Sequence, residues 1–315
     1  MPIRPFQQGD EQAQLQIYNS AAGALPRFKP ASLVEIQRRT SAADFDAGSR
    51  LFALDDQNKP VGYCSFQSNG RIGYPWCLAG HTGAADELFA RTLDVMRQRG
   101  LTKIFTAYRS DWPNITDFFL KHGFAKAREM VNFVLAFENM PTSSARGASQ
   151  FAAATPADAE SIFALDPSVF RVNSPEGLRK ALWQNPWITK DAVYVMRSGG
   201  AIVGAATFIV NNSFADPRAV DANMPCFRLS AFGTEGMTTK RIRGLFSFVA
   251  RPDKNLPAIG MDLLTHAADR LRDDDEVVSY AAQVASDAPA LHAFYQRLFE
   301  RQGSFPVFER DLAVN

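Results

Sequence analysis

The chain has 315 residues, 46% of them hydrophobic and 25 of them Phe, which is the length of two ordinary domains with ample material for their cores. Its 34 basic and 33 acidic side chains leave a formal charge of +1, so no basic surplus supports general binding to nucleic acid or to anionic membranes. Three widely spaced cysteines, Cys64, Cys77 and Cys226, form no CxxC pair, which argues against a metal site or a disulfide framework and fits a reducing cytosol. Met1 to Phe6 does not read as a signal peptide, and no apolar run approaches membrane-spanning length. A soluble, cytoplasmic protein is expected.

In chain order, Ile3 to Phe6 reads as a short strand and Glu11 to Ala22 as a helix. Ser32 caps a second helix to Thr40, with Glu35 placed for a capping box. Ser49 to Leu54 and Val61 to Gln67 form a hairpin across a polar turn, and Arg71 to Leu78 is the next extended segment. The loop Ala79-Gly80-His81-Thr82-Gly83-Ala84-Ala85 opens an amphipathic helix to about Arg99, with Leu88, Phe89, Leu93 and Met96 on one face. Leu101 to Tyr108 is a strand, Thr116 to His122 a helix stopped by Gly123, and Val131 to Phe137 a last strand.

Residues 139–149 are polar, rich in small side chains and without period, and read as a linker. The same order then begins again. Phe151 to Ala154 is a strand, Ala159 to Leu165 and 175–184 are helices, and Ala192 to Arg197 with Ala201 to Val210 make a hairpin. An insertion, Asn211 to Pro225, and an extended Phe227 to Phe232 follow. Residues 241–250 read as a strand, and the loop Arg251 to Ile259 leads to helical spacing of Leu263, Leu264, Ala267, Ala268 and Leu271. Glu276 to Ala282 is the fifth strand, Pro289 to Arg301 the final helix, and Gly303 to Leu312 closes the domain. A strand, a small-residue loop and a helix N-terminus together suit an anion, because first-turn amides and the helix dipole face it.

This element order, with a GxxGxA loop after the fourth strand and a late "FFLKHGF" helix end, resembles the Gcn5-related N-acetyltransferases over residues 1–138. Gly80 takes the family's Gln/Arg place, and Gly83 and Ala85 match its glycine places. In the second half Asn255 takes the Gln/Arg place and Ala258 and Gly260 the glycine places. The resemblance implies an α/β (α+β) chain of two tandem domains, 1–138 and 150–315, each a mixed, largely antiparallel sheet flanked by helices.

It further implies acyl-coenzyme A, most simply acetyl-CoA, as cofactor and the primary amine of a small molecule as acceptor. The amides of Ile259, Gly260 and Met261 are then expected at the pyrophosphate, and the strand ending near Val249 along the pantetheine. Gly80, Gly83 and Ala85 repeat the loop. Tyr295, in the stretch Ala290 to Tyr295 that resembles the family's "A-x-x-x-Y" helix, is the candidate general acid. Phe119 holds the corresponding place in the first half, so the second domain is expected to react and the first to serve as scaffold. A chain that binds coenzyme A without turnover is the alternative. No general base is legible; Glu235, Asp216 and His292 are conceivable.

Overall fold

The computed structural model describes residues 1–26, 28, 30–41, 45–140, 150–170, 172, 174–184, 188, 191–210, 244–270 and 279–312. Most of the linker, the insertion from Asn211 to Pro225, the segment Phe227 to Phe232, and the residues Asp216, Glu235 and Cys226 lie outside them. The chain forms two compact units, Met1–Arg128 with Phe305–Asn315, and Glu129–Ser304.

In the first unit, β1 (Ile3–Pro5), β2 (Arg50–Leu54), β3 (Pro60–Ser65) and β4 (Trp76–Cys77) pair antiparallel in that order. β5 (Lys103–Ala107) pairs antiparallel with the end of β12 (Glu300–Asp311), in register from Val307 against Ala107 to Asp311 against Lys103. The helices are α1 (Glu11–Ala22), α2 (Leu33–Thr40), α3 (Ala85–Gln98) and α4 (Pro113–Lys121). The Ser32–Glu35 capping box forms, each side chain serving the other's backbone amide. The continuously buried runs Leu51–Leu54 of β2 and Val61–Cys64 of β3 and the apolar stripe of α3 meet in one core that includes Phe52, Cys64, Leu88, Phe89, Met96 and Phe119.

The second unit holds one sheet, ordered β6 (Ala125–Ala136), β11 (Ser279–Ala285), β10 (Gly244–Ala250), β9 (Ala201–Val210), β8 (Val193–Ser198) and β7 (Gln150–Ala153). Only β10 and β11 run parallel; the other pairs are antiparallel. α5 (Ala159–Phe163) and α6 (Pro175–Trp183) cover one face through Ile162 and Leu178 on Val193, Val195 and Ala205. α7 (Leu256–Asp269) and α8 (Pro289–Leu298) cover the other through Leu263, Phe294 and Tyr295 on Phe246, Phe248 and Phe133.

The strand assignment at the ends of the two halves differs from the sequence reading. Val131 to Phe137, expected to finish the first domain, pairs instead with β11 of the second unit, Val131 against Val284 through Ala136 against Ser279. Gly303 to Leu312, expected to close the second domain, gives residues 307–311 to β5 of the first unit. Both strands have 12 residues, and the division between the units falls inside each of them. That is about twice the ordinary strand length, enough for one strand to serve two units. A boundary drawn from the linker's composition assumes that each half completes its own sheet, and a strand's partner is not encoded in its own residues.

Gly260 sits inside α7 for a packing reason. A Cβ there would lie 2.5 Å from Cζ of Phe248 and 2.8 Å from Phe294. Gly260→Ala is therefore expected to destabilise the second unit by about 1–3 kcal/mol through overpacking, read as a lower midpoint in urea denaturation.

Candidate functional site

In the first unit the segment 70–78 runs beside β5 and then leaves it. Phe105 donates its amide to the Gly70 carbonyl at 3.0 Å, and Ile72 donates to the Phe105 carbonyl at 2.9 Å. Gly73 then donates to Ser65 at 2.7 Å instead. Two parallel neighbours that part company expose backbone on their inner edges. One of those groups, the Tyr74 amide, donates to the Tyr108 hydroxyl at 2.7 Å. Tyr108 follows the last residue of β5, and its ring stacks on Phe119 at 5.7 Å and 22°. Burial raises the pKa of this phenol well above its ordinary value, offset in part by the Tyr74 amide. It therefore carries its proton at neutral pH, and with the oxygen already accepting from Tyr74 that proton is the one left to offer.

The predicted loop lies on the same side. Gly80 has φ +86°, a left-handed backbone that glycine adopts without strain. Gly83 has an ordinary φ, and a Cβ there would meet nothing within 4 Å, so neither strain nor packing calls for glycine. The His81 and Ala84 amides are bonded to Leu78 and His81, and the Ala85 amide to Thr82. Among the described residues the Thr82 and Gly83 amides have no backbone acceptor. They head α3, where the helix dipole favours an anion. Two acidic residues, Asp86 and Glu87, occupy the first turn of that helix. Lys121 and then His122 hold the Asp86 carboxyl below its ordinary range, with contacts at 2.8 Å and 2.9 Å.

A cavity of about 160 Å³ opens between this loop, α1 and α4, lined by Tyr74, Trp76, Cys77, Thr82, Ala85 and Asn114, among others. Pockets that enclose whole drug-sized ligands run to about 300–1,000 Å³, so this one suits the narrow end of a longer molecule. Cys77 lines it, but burial pushes its thiol up to about 11, and burial pushes Cys64 up to about 12. Neither is a nucleophile at neutral pH. In the folded protein at pH 8 their alkylation is expected to be about 10²-fold slower than in the denatured chain, as followed by peptide mass spectrometry.

The second unit repeats the parting strands. β10 pairs with β9 along all seven residues but with β11 only at Gly244–Tyr280 and Leu245–Ala281. The Phe248 amide lies against the Tyr295 hydroxyl in the gap, and burial raises the Tyr295 pKa well above its ordinary value. Tyr295 is 2% exposed, enclosed by Phe133, Phe246, Phe248, Phe294 and Phe299. His292 has its ring edge-on to Phe133 at 5.5 Å.

The expected pyrophosphate loop of this unit is built differently from the one in the first. Its helix begins at Leu256, with Pro257 in the first turn, several residues before the sequence reading starts it. Consequently the Ile259 amide is an intrahelical donor, to Asn255 at 3.0 Å, and Gly260 and Met261 stand deeper in the helix. The loop amides are also engaged, Asn255 to the Asp253 carboxylate at 2.7 Å and Leu256 to the Asp253 carbonyl at 3.1 Å. Proline lacks an amide proton, so Ala258 has the one first-turn donor left. Val249 is buried and packs with Val193 and Ala205.

Sequence reasoning did not single out Tyr108, which it read only as the end of a strand. The family pattern expects a phenol on the helix, where Phe119 stands, whereas the structure supplies one just past the end of β5, stacked on that same Phe119.

Neither a family model nor a curated protein matches the chain. Solved structures do. A GCN5-related N-acetyltransferase from Sphaerobacter thermophilus gives a TM-score of 0.63 at 12% identity, over 98% of this chain and 95% of that one. A GCN5-related glucosamine N-acetyltransferase region of a fungal multi-domain GH3 β-N-acetylglucosaminidase gives 0.68 at 14% identity, over 98% of this chain but 38% of that longer one. A tandem GNAT protein from the clavulanic acid biosynthesis pathway gives 0.55 at 13% identity, over 98% of both chains. At such identities the likeness lies in the fold. No helix among the described residues is long and apolar enough to cross a membrane.

Proposed function

We propose that this chain, which has the fold of the GCN5-related N-acetyltransferases, transfers an acyl group from acyl-coenzyme A, most simply acetyl-CoA, to the primary amine of a small molecule. The observation that carries the reading is the conjunction in the first unit of two unengaged amides, a glycine whose missing side chain leaves open space, and a cavity leading from them to Tyr74. These residues fit such a cofactor. Thr82 and Gly83 would hold its diphosphate, and the backbone edge at Tyr74 would lie along its arm. Bound there, the cofactor supplies an activated acyl thioester.

Tyr108 then has a defined role. A free thiol has a pKa near 8.5, and the Tyr108 phenol is held well above 10. Full proton transfer from this phenol to a thiolate would be uphill, so Tyr108 would serve a leaving sulfur as a hydrogen-bond donor. The apolar lining from Leu25, Trp76 and Ile115 keeps water from competing with the amine.

A second reading keeps the chemistry and places it in the second unit, on the contact between the Phe248 amide and the Tyr295 hydroxyl. A thiol-release assay with acetyl-CoA over a panel of primary amines tests the proposal, with turnover on at least one expected. Cofactor binding with no turnover on any amine would contradict the transferase and leave a coenzyme A-binding module.

A further inference from the structure

Arginines in the first unit fall into two groups. Arg4 is paired with Asp10 at 2.7 Å, and Arg99 with Asp46. Arg39 of α2 and Arg50 of β2 have no acidic partner within ion-pair distance among the described residues, and the Nε of each is buried with no hydrogen-bond partner. Among the described residues, the Arg50 side chain donates one hydrogen bond, from Nη1 to Oε1 of Gln14 at 2.7 Å. Its guanidinium lies 5.2 Å from the ring centre of Phe45 and 5.8 Å from that of Phe6. Burial lowers the Arg50 pKa, and repulsion from Arg39 acts in the same direction. The nearby carboxylate, Glu11, also acts on Arg50, but it already accepts from the Gly9 amide at 2.9 Å and the Thr40 hydroxyl at 3.1 Å. Among the described residues, then, two half-buried cations stand against one carboxylate and beside aromatic rings, one negative charge short of balance. Taking guanidinium groups out of water without a partner is costly, and their planar forks match an oxyanion bidentately.

The position of this site agrees with a role in the reaction. Arg50 and Phe52 share a face of β2, Phe52 pairs with Tyr63, and Tyr63 pairs with Trp76, which lines the cavity. Arg50 therefore stands on the cavity's face of the sheet, about 12 Å from Trp76, two strand spacings across and two residues along.

We propose that Arg39 and Arg50 form a site for a small oxyanion, the carboxylate or phosphate carried by the acceptor amine. The link to the acceptor rests on the acyl-transfer reading, while the binding of an oxyanion does not. Calorimetric titration of the full chain with inorganic phosphate and with glutarate, at ionic strength matched by sodium chloride, tests it and separates the two sources. At least one of them is expected to bind in the millimolar range or tighter. Arg39→Gln, at a half-exposed position with no ion-pair partner among the described residues, should weaken that binding at least 10-fold, and Arg50→Lys, which keeps the charge but not the fork, should do the same. Affinity for acetyl-CoA should be unchanged in both. No binding of either anion above chloride, or equal binding by Arg39→Gln, would overturn the proposal. Oxyanion binding that persists in a chain without affinity for acetyl-CoA would count against the acyl-transfer reading and not against this site.

Discussion

Tyr108→Phe is expected to lower kcat for acyl transfer by about 10²-fold or more, with little change in affinity for acetyl-CoA. The substitution removes the hydroxyl that accepts from the Tyr74 amide and keeps the ring that stacks on Phe119 at 5.7 Å. It thus deletes a proton-bearing group at the parting strands and leaves the packing in place. Tyr295→Phe is the matched control, because that hydroxyl faces the Phe248 amide in the equivalent gap of the second unit. If turnover survives Tyr108→Phe and falls in Tyr295→Phe, the reaction belongs to the second unit. Steady-state thiol release at saturating amine distinguishes the two.

The largest stability effect is expected at Phe119→Ala, about 3–5 kcal/mol. Phe119 is 1% exposed and touches the rings of Phe89, Phe118, Phe124 and Tyr108 at centroid distances of 5.7, 5.6, 5.1 and 5.7 Å. Removing the ring leaves a cavity that a close-packed aromatic cluster cannot collapse to fill. Against a typical stability of about 5–15 kcal/mol, a loss of that size lowers the urea midpoint of the first unit markedly. It also frees the ring of Tyr108, so the residual folded enzyme should turn over more slowly.

The helices were legible because their signals are local. Glu11 to Ala22 forms with the limits its pattern suggests, and Ser32 caps α2 as its capping box requires. The repeated order of strands and helices was legible for the same reason. The exchange of Val131–Phe137 and Gly303–Leu312 was not, since strand pairing joins residues 143 or more positions apart, from Ala136 with Ser279 to Val131 with Val284 and beyond, and depends on which sheet edges are open.

The two loops show a further limit. Gly83 and Gly260 both occupy glycine places of one sequence pattern. The first faces open space beside unengaged amides, while the second makes room for Phe248 and Phe294. A missing side chain looks the same in a sequence whether a ligand or a neighbouring ring needs the space. Pro257 carried the discriminating signal. A proline is at home in the first turn of a helix, which moves the start of α7 back to Leu256 and puts Ile259 inside it.

Titration of acetyl-CoA into the intact chain and into two charge variants tests the central claim most directly. Gly83→Glu places a carboxylate where a Cβ meets no neighbour, so the fold is kept while the anion site is opposed. Ala258→Glu does the same at the exposed first turn of α7. Binding of acetyl-CoA by the unaltered chain, weakened at least 10-fold by Gly83→Glu and unchanged by Ala258→Glu, is the predicted result. Absence of binding to the unaltered chain, or weakening by Ala258→Glu alone, would contradict a cofactor site in the first unit.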